Sequence, residues 1–178
     1  MELKLIKRKL GSTSISLSPL GLGTVKFGRN TDVKYPEKFN ILSENQCLEI
    51  LETSSSLGIN YVDTAPSYGE AEKKLGKIFS QIGRKFYVIS KVGEAYNKIK
   101  GSHFDFKLTN MKDTISKSLE NLKVDKLDIV LLHLSNNEIN ELNSGAIENL
   151  KEIKKLGYVD YIGISGKSRE AGRIALEK

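Results

Sequence analysis

Asn60-Tyr61-Val62-Asp63-Thr64-Ala65-Pro66-Ser67-Tyr68-Gly69 combines a strand candidate, an acid at its downstream end and a Pro/Gly-punctuated turn. A helical pattern follows at once, from about Glu70 to Ser80, with Ala71, Leu75, Ile78 and Phe79 on one face. Two later apolar runs end in the same way. Phe86–Ile89 leads to Lys91, and Ile129–Leu132 leads to His133. In a sheet of parallel strands the C-terminal ends all open on one face. Asp63, Tyr68, Lys91 and His133 would then converge from three strands, which is the geometry of a proton-transfer site.

Working outward, the strand candidates are Leu20–Thr24, Asn60–Asp63, Phe86–Val92, Leu127–His133 and Tyr158–Ser165. They are continuous apolar runs, as expected of strands covered on both faces. Ser43 and Gln46 read as a capping box that opens a helix with Cys47, Ile50, Leu51 and Leu57 inward, stopped by Gly58. Thr109 is expected to cap a helix carrying Ile115, Leu119 and Leu122. Ser144 is expected to cap one with Ile147, Leu150, Ile153 and Leu156, closed by Gly157. Ser168 is expected to cap a last helix running to Lys178. Two short runs around Gly11-Ser12, within residues 4–18, suggest a β-hairpin. Strand and helix thus alternate five times, implying a parallel sheet with right-handed crossovers in one α/β domain, residues 1–178. The two long loops, Phe27–Leu42 and Gly93–Leu108, fall on the C-terminal face, where active-site loops belong.

Composition narrows the class. The 178 residues suffice for one sizeable core, and 39% hydrophobic with 28% charged is ordinary for a globular chain. Met1–Leu10 mixes Leu and Ile with Lys4, Lys7, Arg8 and Lys9, so it lacks the h-region of a signal peptide. No apolar run approaches the roughly 20 residues of a membrane span. The single Cys47 fits a reducing compartment, and cytoplasm is the default expectation. Net charge is +6, but the basic residues are scattered and not interleaved with aromatics, which argues against a nucleic-acid partner. Neither a membrane partner nor a metal site is assigned.

Read singly, these residues have structural alternatives. Tyr68 could be a half-buried loop tyrosine, Asp63 and Lys91 an ion pair at a strand end, and His133 a satisfied core histidine. Read jointly, they suit carbonyl reduction, which needs a hydride donor on one side and a proton donor at the carbonyl oxygen. Tyr68 is the expected donor. Lys91 beside it is expected to favour the phenolate and lower its pKa, with Asp63 holding Lys91 by a charge-assisted bond. His133 would orient the carbonyl or share the proton. His103 is expected at the surface and Cys47 in the core.

Leu20-Gly21-Leu22-Gly23-Thr24, Asp63-Thr64-Ala65-Pro66-Ser67-Tyr68-Gly69 with Glu72 and Leu75-Gly76, Ser90-Lys91, Leu131-Leu132-His133 and Ile162-Gly163-Ile164-Ser165 together resemble the aldo-keto reductase family. The resemblance covers almost the whole chain and keeps the family's order. It implies an (α/β)8 TIM barrel with an N-terminal hairpin, and NADPH-dependent reduction of aldehydes or ketones, with NADH as the alternative cofactor. It implies a catalytic tetrad of Asp63, Tyr68, Lys91 and His133, and cofactor contacts from Thr24, Asp63 and Ser165. Gly166 stands where the family usually has Asn. Gly21 and Gly23 precede no dinucleotide fingerprint and are expected to serve packing, as are Gly69 and Gly76.

A closed barrel of this kind takes about 250 residues. The expectation is therefore a partial barrel of five βα units, C-terminally truncated relative to the family. Two outcomes follow: an oxidoreductase acting on a small-molecule carbonyl, or a catalytically inactive half-barrel serving as a remnant or interaction module. Self-association through the open barrel edges is expected of either.

Overall fold

Gly11 turns the chain back on itself near its start, at φ +53°, where residues with a Cβ are disfavoured. Arg8–Lys9 (β1) and Ser16–Leu17 (β2) pair antiparallel on either side of it. The structure, a computed structural model, describes residues 5–178. Lys4, the first residue of the expected hairpin segment, and Met1–Leu3 of the N-terminal stretch lie outside the described residues.

The first parallel strand is shorter than its apolar run. It is only Leu22–Gly23 (β3), and Leu20 is exposed. A single turn, Val25–Gly28 (α1), follows, and then Glu44–Ser56 (α2). Both halves of the Ser43/Gln46 capping box are made. Leu57, expected inward, is the exposed C-cap residue of α2, because the helix ends before its last apolar position can turn onto the core. Gly58, at φ +85°, stops the helix. Next come Tyr61–Asp63 (β4), a 3-10 turn at Pro66–Tyr68, and Ala71–Ile82 (α3), which runs two residues beyond the expected end and stops at Gly83.

Tyr87–Val92 (β5) leads into the segment expected to be an irregular loop. Instead Glu94–Asn97 (β6) and Gly101–Phe104 (β7) form an antiparallel ribbon. Leu108–Leu122 (α4) begins one residue ahead of Thr109, which lies inside the first turn and caps nothing. Lys107 is the N-cap, in extended conformation, and its N–H donates to Asp105 Oδ1 at 2.8 Å. Leu127–His133 (β8) follows. Ser144 is no cap either. Glu138–Glu141 (α5) continues through a π turn, Leu142–Ala146, into Ile147–Lys155 (α6), and the chain kinks at Gly145. The Ser144 hydroxyl donates back to the Glu141 carbonyl, and Leu156, expected inward, is exposed beyond the helix end. Val159–Ser165 (β9) and Arg169–Glu177 (α7) complete the chain, with Ser168 capping α7 as expected.

The five parallel strands lie in the order β3-β4-β5-β8-β9. Their register sets Gly23, Asp63 and Ile89 abreast, then Lys91 beside Leu131, and His133 beside Ser165. Side chains alternate between the two faces of a strand. One face carries Val62, Val88, Ser90, Val92, Val130 and Leu132, all buried beneath the helices. There the Glu72 carboxylate accepts from Ser90 and Ser118, and burial pushes its pKa up. On the other face Tyr61, Tyr87, Ile89, Leu131 and Tyr161 are only half-buried. The expectation of strands covered on both faces thus holds for the helix side alone. Apolar runs signal what a strand can bury, not whether a second layer lies over it.

Candidate active site

Asp63 is the last residue of β4, and Tyr68 follows on the 3-10 turn. That turn is locked from behind by backbone contact. Gly69 has φ +63° and the Gly28 carbonyl packs against it, so that a Cβ at Gly69 would stand 2.3 Å from the Gly28 oxygen. Lys91 comes from β5 and His133 ends β8. The four side chains meet at one rim. Lys91 Nζ donates to Asp63 Oδ1 at 2.7 Å and to the Thr64 carbonyl at 2.9 Å, and sits 5.0 Å from the centre of the Tyr68 ring. The Tyr68 and His133 rings stand edge-to-face, 6.3 Å apart.

The electrostatics depart from the expected acidification of Tyr68. Burial pushes the phenol well above the ordinary tyrosine range, and the negative charges of Asp63 and Glu94 push it further. Lys91 is engaged by Asp63, so it does not offset them. Its own pKa is lowered, by burial first, against the pull of Asp63. The rim therefore holds a neutral phenol beside a buried, paired ammonium.

Two residues went unread in the sequence. Glu94, the first residue of β6, has a side chain 9% exposed and places Oε2 2.7 Å from His133 Nδ1. Its other oxygen takes the Ser102 hydroxyl and lies 3.6 Å from Arg29 Nη1. Arg29, also buried, donates to the carbonyls of Thr31, Asp32 and Ser67 and stacks on Tyr96, 3.5 Å from the ring centre. Glu94 stands three residues past Lys91 at the same strand end, so the strand-end criterion that selected Lys91 would have selected it too. Arg29 had no such signal.

Of the expected cofactor contacts, Thr24 is fully buried, its N–H and hydroxyl both donating to the Asp63 carbonyl. Asp63 is 37% exposed at the rim. Ser165 is half-buried at the end of β9. Nearby, Ser135, Asn136, Asn137 and Lys167 line a cavity of about 510 Å³ together with Lys34 and Phe104. That wall offers amide and ammonium donors, the Ser135 hydroxyl being donated to Glu141 behind it, so it fits an amide and an anionic group such as a nicotinamide cofactor carries. Gly166 has a local reason: a Cβ there would meet Glu138 Oε2 at 3.0 Å. That carboxylate accepts from the N–H groups of Lys167 and Ser168 at the start of α7.

Residues 19–177 match the model of the aldo/keto reductase family. The chain belongs to that family. The oxidoreductase YqkF of Bacillus subtilis is 31% identical over 89% of this chain and 48% of its own length. L-galactose dehydrogenase of Arabidopsis thaliana is 30% identical over 92% and 49%. Among solved structures, PA4992 of Pseudomonas aeruginosa is 38% identical with a TM-score of 0.87, over 99% of this chain and 66% of that one. The chain spans about half the length of the curated relatives it matches. Family membership brings a TIM-barrel-like α/β fold, and the described sheet has the matching parallel order. Among the described residues, no helix is long and apolar enough to cross a membrane.

Proposed function

We propose that this chain carries the proton-handling part of an aldo-keto reductase site, on five βα units of a (β/α)8 barrel. The reaction is reduction of an aldehyde or ketone to an alcohol, or the reverse, with NADPH as cofactor and NADH as the alternative. One observation carries the reading: the Asp63–Lys91 ion pair, the Tyr68 phenol and the His133 imidazole stand at a single strand-end rim. A nicotinamide held at this wall would supply the hydride that the carbonyl carbon needs. Tyr68 gives the carbonyl oxygen its proton, and the raised pKa keeps that proton in place until the oxygen becomes basic enough to take it. Lys91, held by Asp63 5.0 Å from the ring centre, is the cation placed beside the phenolate left behind. Asp63 and Ser165 would contact the nicotinamide half, with Asn136 and Lys167 suited to its amide and its anionic portion; Thr24, fully buried and bonded to the Asp63 carbonyl, supports that wall from behind and does not make the expected contact itself. The Arabidopsis relative, an L-galactose dehydrogenase, keeps alcohol oxidation within the same proposal.

The test has two stages. Titration with NADPH should change its fluorescence at micromolar protein. No binding up to millimolar cofactor would remove the enzyme reading. With binding in hand, Tyr68→Phe should abolish carbonyl reduction and leave the cofactor affinity intact. Retained turnover would refute Tyr68 as donor.

A second reading, an inactive half-barrel acting as an interaction module, draws on the half-buried sheet face around Ile89, Leu131 and Tyr161. In either reading β3 and β9 are the outer strands of the sheet among the described residues, and we propose that they self-associate. We place the chain in the cytoplasm, from its single cysteine.

A further inference from the structure

We propose that Glu94 is a positioning residue of this site, keeping a proton on Nδ1 of His133 and presenting Nε2 to the reacting oxygen. The inference rests on the reductase reading for its reacting oxygen, but the pairing of Glu94 with His133 stands on geometry alone. Oε2 lies 2.7 Å from Nδ1, and Nδ1 is enclosed. The approach is not along the ring N–H direction, yet no other acceptor is within reach of Nδ1 among the described residues. The ring as a whole is 21% exposed, so its outward edge, which carries Nε2, faces the cleft.

Glu94 is itself fixed. Ser102 donates to Oε1 from the facing strand of the ribbon, and Arg29 stands 3.6 Å away, pinned by three carbonyls and by Tyr96. Burial works against its charge, but the close approach of the His133 ring and the bond from Ser102 outweigh burial and hold the carboxyl down at about 2. An ionised carboxylate accepts hydrogen bonds and repels a lone pair, so 2.7 Å from Nδ1 it favours the form of the ring that carries a proton there. The neutral imidazole then has its lone pair on Nε2. The imidazolium, balanced by Glu94, donates from Nε2 to a carbonyl oxygen. A carboxylate that sets an imidazole tautomer from behind is a known catalytic arrangement on unrelated folds. Around His133 the charged and titratable groups are Glu94 on β6, Tyr68 on the 3-10 turn, Lys91 on β5, Asp63 on β4 and, behind Glu94, Arg29. Among the described residues, Glu94 alone lies against Nδ1.

A merely structural Glu94 would anchor the ribbon and leave the ring's proton unconstrained. The two roles separate by nitrogen NMR of the 178-residue chain. It has two histidines, so His133→Asn assigns the His133 ring and leaves exposed His103 as an internal reference. The wild type should show Nδ1 protonated at neutral pH, and Glu94→Gln should shift the ring toward the Nε2–H tautomer of free imidazole. Where the chain turns over, Glu94→Gln should lower kcat about tenfold with little change in KM, and Glu94→Asp should restore part of it. If Glu94→Gln unfolds, Ser102→Ala loosens the same carboxylate and should move the ring in the same direction. A bare Nδ1 in the wild type, or an unchanged tautomer in a folded Glu94→Gln protein, overturns the proposal. The ring spectra need no cofactor. A chain that binds no cofactor but keeps Nδ1 protonated would refute the reductase reading and uphold the Glu94–His133 pairing.

Discussion

At Tyr68 two influences compete for one proton. Lys91 would draw it off, while burial and the carboxylates of Asp63 and Glu94 hold it on. The second side wins, because Asp63 and the Thr64 carbonyl already claim the ammonium. Sequence position alone brought Asp63, Tyr68, Lys91 and His133 to the same rim, since strand ends depend only on local apolar runs. The direction of the Tyr68 shift depends on who pairs with whom, and that partnership is not local. Glu94 provides a pH test at this scale. Its folded carboxyl lies near 2 against an ordinary 4.5, so it contributes stability that is fully present above about 4.5 and is lost as the pH falls toward 2. Glu94→Gln should therefore lower the urea midpoint at neutral pH and differ little from wild type near pH 2. An equal loss at both pH values would mean the carboxylate's charge contributes nothing.

Among the elements, the capping signals at Ser43 and Ser168 were legible because their partners are three residues away. Thr109 and Ser144 carry the same residue type but fail as caps. In one case the helix starts a residue early, and in the other two helices join through a π turn without an end to cap. The β6–β7 ribbon escaped notice because its strands are polar and four residues long, with no alternation strong enough to distinguish them from a loop. Gly76 shows what close helix packing demands. A Cβ there would stand 2.0 Å from the Asn121 carbonyl oxygen, so α3 and α4 meet backbone to backbone. Gly76→Ala should destabilise the fold by about 2–3 kcal/mol, read from the denaturant midpoint, despite alanine's better helix propensity. A neutral result would mean that α4 can move away at little cost.

At the scale of the molecule, five strand–helix repeats were readable from periodicity, and in the sheet each parallel strand lies beside the one before it in sequence. What periodicity could not give was the asymmetry between the faces, with Val88, Val130 and Leu132 sealed and Ile89, Leu131 and Tyr161 half-open. The outermost strand β9 also carries Ile162 and Ile164, both half-buried, along an unpaired edge. Sedimentation velocity should therefore show dimers or larger species whose population rises with concentration. A single monomeric boundary at every concentration would contradict this.

The ribbon has a further consequence for how such a protein can change. Arg29 and Tyr96 stitch the loop after α1 to β6, and Glu94, two residues away on the same strand, abuts the imidazole at the rim. In the proposed function, the segment best placed to choose a substrate is thus the one that holds Glu94 against His133. A loop graft intended to alter selectivity would disturb turnover as well. New specificity in this chain should arise more readily by point changes at Tyr96, Asn97 and Ile99 than by exchange of the ribbon as a cassette.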